Sequence, residues 1–136
     1  MEKKVKGNGF IYLEGTWAGD VGKVTIVNIY SPCDTTFKRI LWDQARQLRA
    51  ANNGERVGVC QRLQGGGSQK EFNDWITDLK VEDVPSVGRK FTWNRPNGTA
   101  KRKIDRILVS AEWFSKWQDN IQLILDRNFY DHCPIL

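Results

Sequence analysis

The fold of this chain is decided by the stretch Val24-Thr25-Ile26-Val27-Asn28-Ile29-Tyr30, which is followed by Ser31-Pro32. β-Branched residues occupy almost every position of it, and they favour the extended backbone of a strand. A run of this kind is typical of a central strand that is buried on both faces. We therefore expect Asn28 and Tyr30 near the end of that strand, where sheets present side chains to ligands.

The segments around this strand predict an α/β (α+β) unit. Residues 10–17 are rich in strand formers, and the Gly-rich turn at 18–23 would join them to the central strand as a hairpin. Asp34 or Thr35 can cap a helix that ends near Asn52. Its apolar residues recur at helical spacing: Phe37, Ile40, Leu41, Ala45 and Leu48.

The second half of the chain predicts another helix and a hairpin. A capping box from Ser68 to Glu71 precedes an apolar stripe made by Phe72, Trp75, Ile76 and Leu79, which favours a helix over residues 68–80. Residues 89–93 and 102–109 favour two paired strands around the turn at 94–98. A short helix after Ser110 and a strand at 121–125 follow. Residues 53–67, with three consecutive glycines and few apolar residues, favour an irregular loop.

Composition and charge limit the classes of protein. The chain has 136 residues, 40% of them hydrophobic, and a net charge of +5, which suits one domain at 10–136 behind a polar leader at 1–9. The positive charge is compatible with a polyanionic partner. Three widely spaced cysteines indicate buried or free thiols in a reducing compartment. With no apolar run near the roughly 20 residues of a membrane span, we expect no membrane contact and an intracellular location, with the nucleus as one candidate.

The only histidine, His132, follows Asp131 near the end of the sequence. Histidine titrates near neutral pH, and a neighbouring carboxylate can bind a metal or set the local charge. An isolated Asp-His pair is also compatible with an exposed turn. Asp105 is a second notable residue, because a carboxylate inside a predicted strand is unusual; the alternative is a strand-edge salt bridge with Arg102 or Arg106.

Five blocks in order carry a resemblance to a known family. The chain resembles the endonuclease/exonuclease/phosphatase superfamily, and most closely the endonuclease domain of plant LINE-type retrotransposons. The blocks are Val27-Asn28-Ile29-Tyr30-Ser31-Pro32, Phe72-Asn73-Asp74-Trp75-Ile76, Gly88-Arg89-Lys90-Phe91-Thr92-Trp93, Ile104-Asp105-Arg106-Ile107-Leu108 and Asp131-His132-Cys133-Pro134-Ile135.

The resemblance implies a deoxyribonuclease I-like fold, here a partial four-layer β-sandwich flanked by helices, and hydrolysis of DNA phosphodiester bonds with Mg²⁺. It implies that Asp131 binds the metal, that His132 contacts the scissile phosphate, and that Asp105 orients His132. Tyr30 would be a phosphate-contacting tyrosine; the alternative is a core tyrosine. Such groups suit the reaction because negative charge on the phosphate oxygens rises in the transition state. No cofactor other than the metal is implied.

The sequence also departs from the family pattern. Family members carry a Gly-Asp-Phe-Asn block on a strand after the first helix, and its Asp activates the attacking water. Here Gly54-Glu55-Arg56-Val57-Gly58 follows the helix directly, so we expect that a central strand is deleted. The family's upstream Asn and metal-binding Glu are also absent. We therefore expect a truncated, catalytically inactive fragment.

Two alternatives remain open at this point. One is a residual module that binds nucleic acid weakly and without sequence preference through its basic clusters, although scattered surface cations are often only solvated. The clusters are Arg89, Lys90, Lys101, Arg102 and Lys103. The other alternative is an enzyme completed by further sequence or by a partner chain.

Overall fold

The sheet expected around residues 24–30 is present in the computed structural model of the chain, which describes residues 2–31, 34–52, 55–63, 69–127 and 132–136. In these residues the secondary structure is, in chain order, β1 Lys3–Gly7, β2 Phe10–Thr16, β3 Lys23–Ser31, α1 Thr35–Ala51, β4 Arg56–Leu63, α2 Gln69–Leu79, β5 Val81–Asp83, β6 Ser86–Gly88, β7 Trp93–Asn94, β8 Lys101–Arg102, β9 Asp105–Ser110, α3 Ala111–Lys116 and β10 Gln122–Ile124.

Six strands form the main sheet, in the order β1-β2-β3-β4-β9-β5. β2 and β3 pair antiparallel, which confirms the predicted hairpin, and β3 pairs parallel with β4 across the α1 connection. β1, which lies within the predicted polar leader, is the edge strand beside β2. In the last part of β3, Val27 and Ile29 are buried while Asn28 and Tyr30 are exposed. Burial on both faces is therefore wrong for this part, because nothing in the described chain covers that face.

Both long helices form where the apolar spacing places them. The carboxylate of Asp34 accepts a hydrogen bond from the Phe37 amide at 2.7 Å, which caps α1 as predicted. Ser68, the predicted cap of α2, lies outside the described residues. One assignment within α1 is wrong: Ile40 is 48% exposed, whereas Trp42 is buried. The helix turns its packed face slightly away from the predicted stripe, because the large indole fills the space next to α2.

An apolar core lies between helices α1 and α2 and one face of the main sheet. At its centre the Trp42 and Trp75 rings stack with centroids 5.2 Å apart, and Trp75 Nε1 donates to the Trp42 carbonyl at 3.1 Å. The buried core residues are Tyr12, Val27, Ile29, Leu41, Trp42, Ala45, Val57, Val59, Phe72, Trp75, Leu79, Val81 and Leu108.

The prediction of an irregular loop at 53–67 is wrong, because β4 occupies most of it and is a central strand. Alternate residues of β4 point to opposite faces of the sheet. Val57 and Val59 face the core, while Gly58 packs against the Trp113 ring of α3. Pairing with β3 on one side and β9 on the other satisfies its backbone groups. Gly58 and the polar residues after Cys60 weaken the local strand signal, and the tertiary pairing overrides it.

The strand predicted at 102–109 is divided between two sheets. β8 pairs with β7 in a two-residue hairpin, whereas β9 joins the main sheet between β4 and β5. The break has a local cause, because the Thr92 hydroxyl accepts hydrogen bonds from the amides of Ile104 and Asp105, at 2.9 and 3.0 Å. These amides are thereby withdrawn from strand pairing with β7.

The remaining elements confirm the predicted order. α3 begins after Ser110, and β10 lies within the predicted strand at 121–125, where it pairs parallel with β6. The mixed sheet with flanking helices confirms the α/β class. In the described part of the chain, no helix has the length and apolar character that a membrane span needs.

Candidate functional site

Two predicted site residues, Tyr30 and Asp105, lie in one row across the main sheet with a third residue, Arg62, which was not predicted. Tyr30 of β3 is aligned with Arg62 of β4, and Arg62 is aligned with Asp105 of β9. Residues aligned on neighbouring strands point to the same face of a sheet. This face is the one opposite α1 and α2, and Tyr30 is 47% exposed on it, so it is not a core tyrosine.

His132 is brought to this row by a separate part of the chain. It forms an isolated bridge with Trp93, and the next amide, of Cys133, donates to the Thr92 carbonyl at 2.7 Å. His132 Nδ1 lies 3.0 Å from Asp105 Oδ2, and the two side chains are only 19% and 16% exposed. The structure thus joins the Asp105 and His132 side chains across 27 positions of sequence, as the resemblance implied.

Arg62 is the neighbour that sequence reasoning missed. Its Nε donates to Asp105 Oδ1 at 2.9 Å, so the Asp105 carboxylate is shared between Arg62 and His132. The expected alternatives, Arg102 and Arg106, do not make this contact; Arg106 pairs with Asp83 instead. The sequence carries no local signal for Arg62, because its position in the site depends on the register of β4.

The row lies in an open groove of about 1030 Å³. Asn28, Tyr30, Cys60 and Arg62 line its floor, and His132 lies at one side. Burial raises the pKa of the Cys60 thiol, so this group is not an activated nucleophile. Besides the Asp105 carboxylate, the polar side chains that line the groove carry hydroxyl, amide, ammonium, guanidinium and imidazole groups, which can donate hydrogen bonds to an anion.

The predicted basic clusters divide into two environments. Arg89, Lys90 and Lys101 line a second groove of about 530 Å³ together with Arg127 and Cys133, next in sequence to His132. Lys103 instead donates to Ser86 at 2.7 Å and lies 3.6 Å from Asp83. Arg102 is exposed on β8. Asp126 pairs with Arg89 and raises the pKa of its guanidinium, so the positive charge there is partly balanced.

The described residues do not fit the Mg²⁺ ion that the resemblance implies. Mg²⁺ requires several oxygen ligands in near-octahedral geometry. Both oxygens of Asp105 are engaged by Arg62 and His132. In the part of the chain that the structure describes, no three His, Cys, Asp or Glu side chains form a group that could hold a metal. Asp131, the predicted ligand, lies outside this part.

The expectation that a central strand is deleted is wrong, because β4 follows α1 as a central strand. Its sequence, Arg56-Val57-Gly58-Val59-Cys60-Gln61-Arg62-Leu63, nevertheless contains no acidic residue. The acidic residue nearest to β4 in sequence is Glu55, which precedes the first residue of the strand. At the usual rise per residue it lies roughly 20 Å from Arg62. Glu55 lines a different pocket with Asp20 and Arg56, so it is not placed to replace the missing Asp.

Comparison with known proteins gives structural but not sequence matches. No protein-family model matches the sequence, and no curated protein matches it. A Staphylococcus aureus beta toxin variant solved with bound magnesium ions superposes with a TM-score of 0.63 at 19% identity, covering 93% of this chain and 56% of that one. The endonuclease domain of TRAS1, a telomere-specific non-LTR retrotransposon, gives 0.68 at 10% identity, covering 93% and 61%.

A protein of the endonuclease/exonuclease/phosphatase family from Leptotrichia buccalis also matches, with a TM-score of 0.59 at 11% identity over 93% of this chain and 50% of that one. The chain thus spans between half and about three fifths of these proteins. At such identities the likeness concerns the fold. The chain has the deoxyribonuclease I-like fold of the endonuclease/exonuclease/phosphatase proteins.

Proposed function

We propose that this chain is part of a DNA endonuclease of the LINE retrotransposon type, in which phosphate contacts persist and hydrolysis is lost. The order of the five sequence blocks and the fold shared with the TRAS1 endonuclease domain support the type of enzyme. The observation that carries the loss of hydrolysis is the composition of β4, which has no carboxylate beside Asp105.

The chemistry explains why this one strand matters. Hydrolysis of a phosphodiester requires a base that activates water, and groups that stabilise the charge on the phosphate oxygens. His132, held by Asp105, and the Tyr30 hydroxyl are suited to the second task. Magnesium in such enzymes would supply charge neutralisation and water activation. The resemblance implies Asp131 as its ligand, but the described residues supply no group of ligands to complete the site. Cys60 and Arg62 stand at the groove-facing positions of β4 and cannot act as a carboxylate base.

A plasmid assay tests this function. We expect purified chain, incubated with supercoiled DNA and Mg²⁺ or Mn²⁺, to give no more nicked product than the His132→Ala variant. Removing a group that activates the nucleophile costs orders of magnitude in rate, so residual hydrolysis should be undetectable. Nicking that requires both the metal and His132 would refute the loss of activity. It would favour an enzyme whose missing carboxylate is supplied by another segment or by a partner.

A second candidate function is binding of nucleic acid without catalysis. The groove lined by Arg89, Lys90, Lys101 and Arg127 favours it, because these cations lie beside the segment that carries His132. We expect weak, sequence-independent binding of duplex DNA that falls steeply with added salt, since phosphate contacts release counterions.

Fluorescence anisotropy at several salt concentrations measures this binding. The double variant Lys90→Gln/Lys101→Gln should reduce the salt slope by about two, one for each lost phosphate contact. Arg39→Gln, at an exposed cation of α1 that pairs with Glu71, is the matched control. Sequence-specific binding that is insensitive to salt would contradict this candidate.

A further inference from the structure

Arg62 is placed to contact an anion directly. Its side chain is 38% exposed, lies between Tyr30 and Asp105 in the register of the sheet, and lines the large groove with His132. Neither the fold nor the resemblance implies a cation at this position. The resemblance instead implies the Asp and Asn of the missing block on this strand.

The contact with Asp105 orients the guanidinium. Asp105 Oδ1 accepts from Nε at 2.9 Å, and it is the hydrogen-bond and ion-pair partner that the structure shows for Arg62 within the described residues. The two terminal amino groups lie beyond Nε on a rigid planar fork, whose geometry matches two oxygens of a phosphate. An arginine whose fork is already held by a partner loses less side-chain freedom when it binds a ligand.

The charges of the site favour an anion over a metal cation. The single Asp105 carboxylate is balanced by Arg62 before His132 is counted, and both of its oxygens are engaged. A divalent cation placed here would lie next to a guanidinium and would lack free carboxylate oxygens. A phosphate would instead meet the guanidinium, the imidazole of His132 and the Tyr30 hydroxyl on one side of the groove.

We propose that Arg62, with Tyr30 and His132, binds a phosphate group of a nucleic-acid backbone directly and without a bridging metal ion. This inference rests on the proposed function, because that function supplies the phosphodiester as the ligand of this groove. Asp105 then has two tasks, since it holds Arg62 as well as His132.

The test uses the whole chain in excess EDTA, with inorganic phosphate and a short oligothymidylate as the two probes. Nuclear magnetic resonance follows the Nε–H signal of Arg62, assigned by its disappearance in the Arg62→Lys variant. We expect this signal to shift and saturate with both probes. Arg62→Gln should weaken binding about tenfold or more, as expected for loss of a charge-assisted hydrogen bond. Arg62→Lys should weaken it less, because it keeps the charge but not the fork.

Controls separate the inference from effects on folding and net charge. Arg39→Gln removes a cation from α1, in an exposed pair with Glu71, and should leave binding unchanged. Circular dichroism checks that each variant is folded. If Arg62→Gln is unfolded, the shift of the wild-type Arg62 signal and the affinity of Arg62→Lys still decide the question.

Several outcomes would overturn the inference. They are wild-type affinity in folded Arg62→Gln, an Arg62 signal that does not move with either probe, or binding that appears only after Mg²⁺ is restored. Binding of inorganic phosphate but not of the oligonucleotide would also refute it, because the site would then take free phosphate. The plasmid assay separates this inference from the proposed function. Nicking that requires the metal and His132 would contradict the proposed loss of hydrolysis, whereas an Arg62 that binds neither probe in EDTA, in a chain that does not nick DNA, would contradict this inference alone.

Discussion

Replacing Asp105 tests the central contact of the site through stability. Asp105→Ala removes the acceptor of two hydrogen bonds, from Arg62 Nε at 2.9 Å and from His132 Nδ1 at 3.0 Å. Hydrogen bonds to charged groups contribute about 1.5–3 kcal/mol each when buried. Water can replace part of the contact with Arg62, which is 38% exposed, so the lower end applies there. We expect a total loss of about 3–4.5 kcal/mol of unfolding free energy.

Urea unfolding near neutral pH, followed by circular dichroism, measures this loss. Asp105→Asn should cost about half as much, because its carbonyl oxygen can accept from one of the two donors while its amide group cannot. Asp43→Ala is the matched control, since its carboxylate is 63% exposed and its ion-pair partner within the described residues is Arg46, on the surface of α1. That control should cost under about 0.5 kcal/mol.

The reasoning fails if Asp105→Ala is no more destabilising than Asp43→Ala. It also fails if the Asp105→Ala and Arg62→Met substitutions are additive in a double-mutant cycle, because a direct contact must give a coupling energy. Additivity would mean that the Arg62 and Asp105 side chains are neighbours in the sheet without interacting.

Two further predictions concern the rest of the fold. Trp75→Ala should cost about 3–5 kcal/mol in urea unfolding because Trp75 is fully buried, whereas Trp17→Ala, at a 55% exposed ring, should cost under about 1 kcal/mol; equal costs would contradict the assigned core. Hydrogen bonds from Arg56 and the Gly22 amide lower the pKa of Asp20 well below its unfolded value of about 3.9. The stability from Asp20 is therefore present above that value and lost in more acidic solution. The difference in urea midpoint between wild type and Asp20→Asn should therefore be smaller at pH about 3 than at pH about 6. A difference that does not change with pH would refute this role of Asp20.

The helices were predictable because their signals are local. Asp34 caps α1 through its own carboxylate, and the stripe from Phe72 to Leu79 specifies α2 without reference to the sheet. β4 was not predictable in this way. Its two valines are too few to define a strand, and pairing with β3 and β9 supplies the stabilisation that local propensity lacks.

The residues of the site also differ in whether a local sequence signal predicts them. Asn28 and Tyr30 could be placed near the end of their strand, where sheets present side chains to ligands, because β-branched residues make the strand evident. Their exposure on one face was not predicted, because the strand pattern favours burial on both faces. The meeting of Asp105 with His132 could be expected only from the resemblance, since no periodicity connects positions so far apart. Arg62 remained hidden because its role follows from the register of β4, and register depends on pairing partners that the sequence does not display.

Thr92 explains how the fold holds Asp105 and His132 in contact. Thr92 is fully buried; its hydroxyl accepts from the Asp105 amide at 3.0 Å, and its carbonyl accepts from the Cys133 amide at 2.7 Å. One core residue therefore positions the backbone on both sides of the contact. Buried backbone groups must keep their hydrogen-bond partners, so the stability of the fold is sufficient to maintain this arrangement. The absence of a carboxylate from β4 breaks none of these bonds, so the contact between Asp105 and His132 is compatible with the proposed loss of hydrolysis.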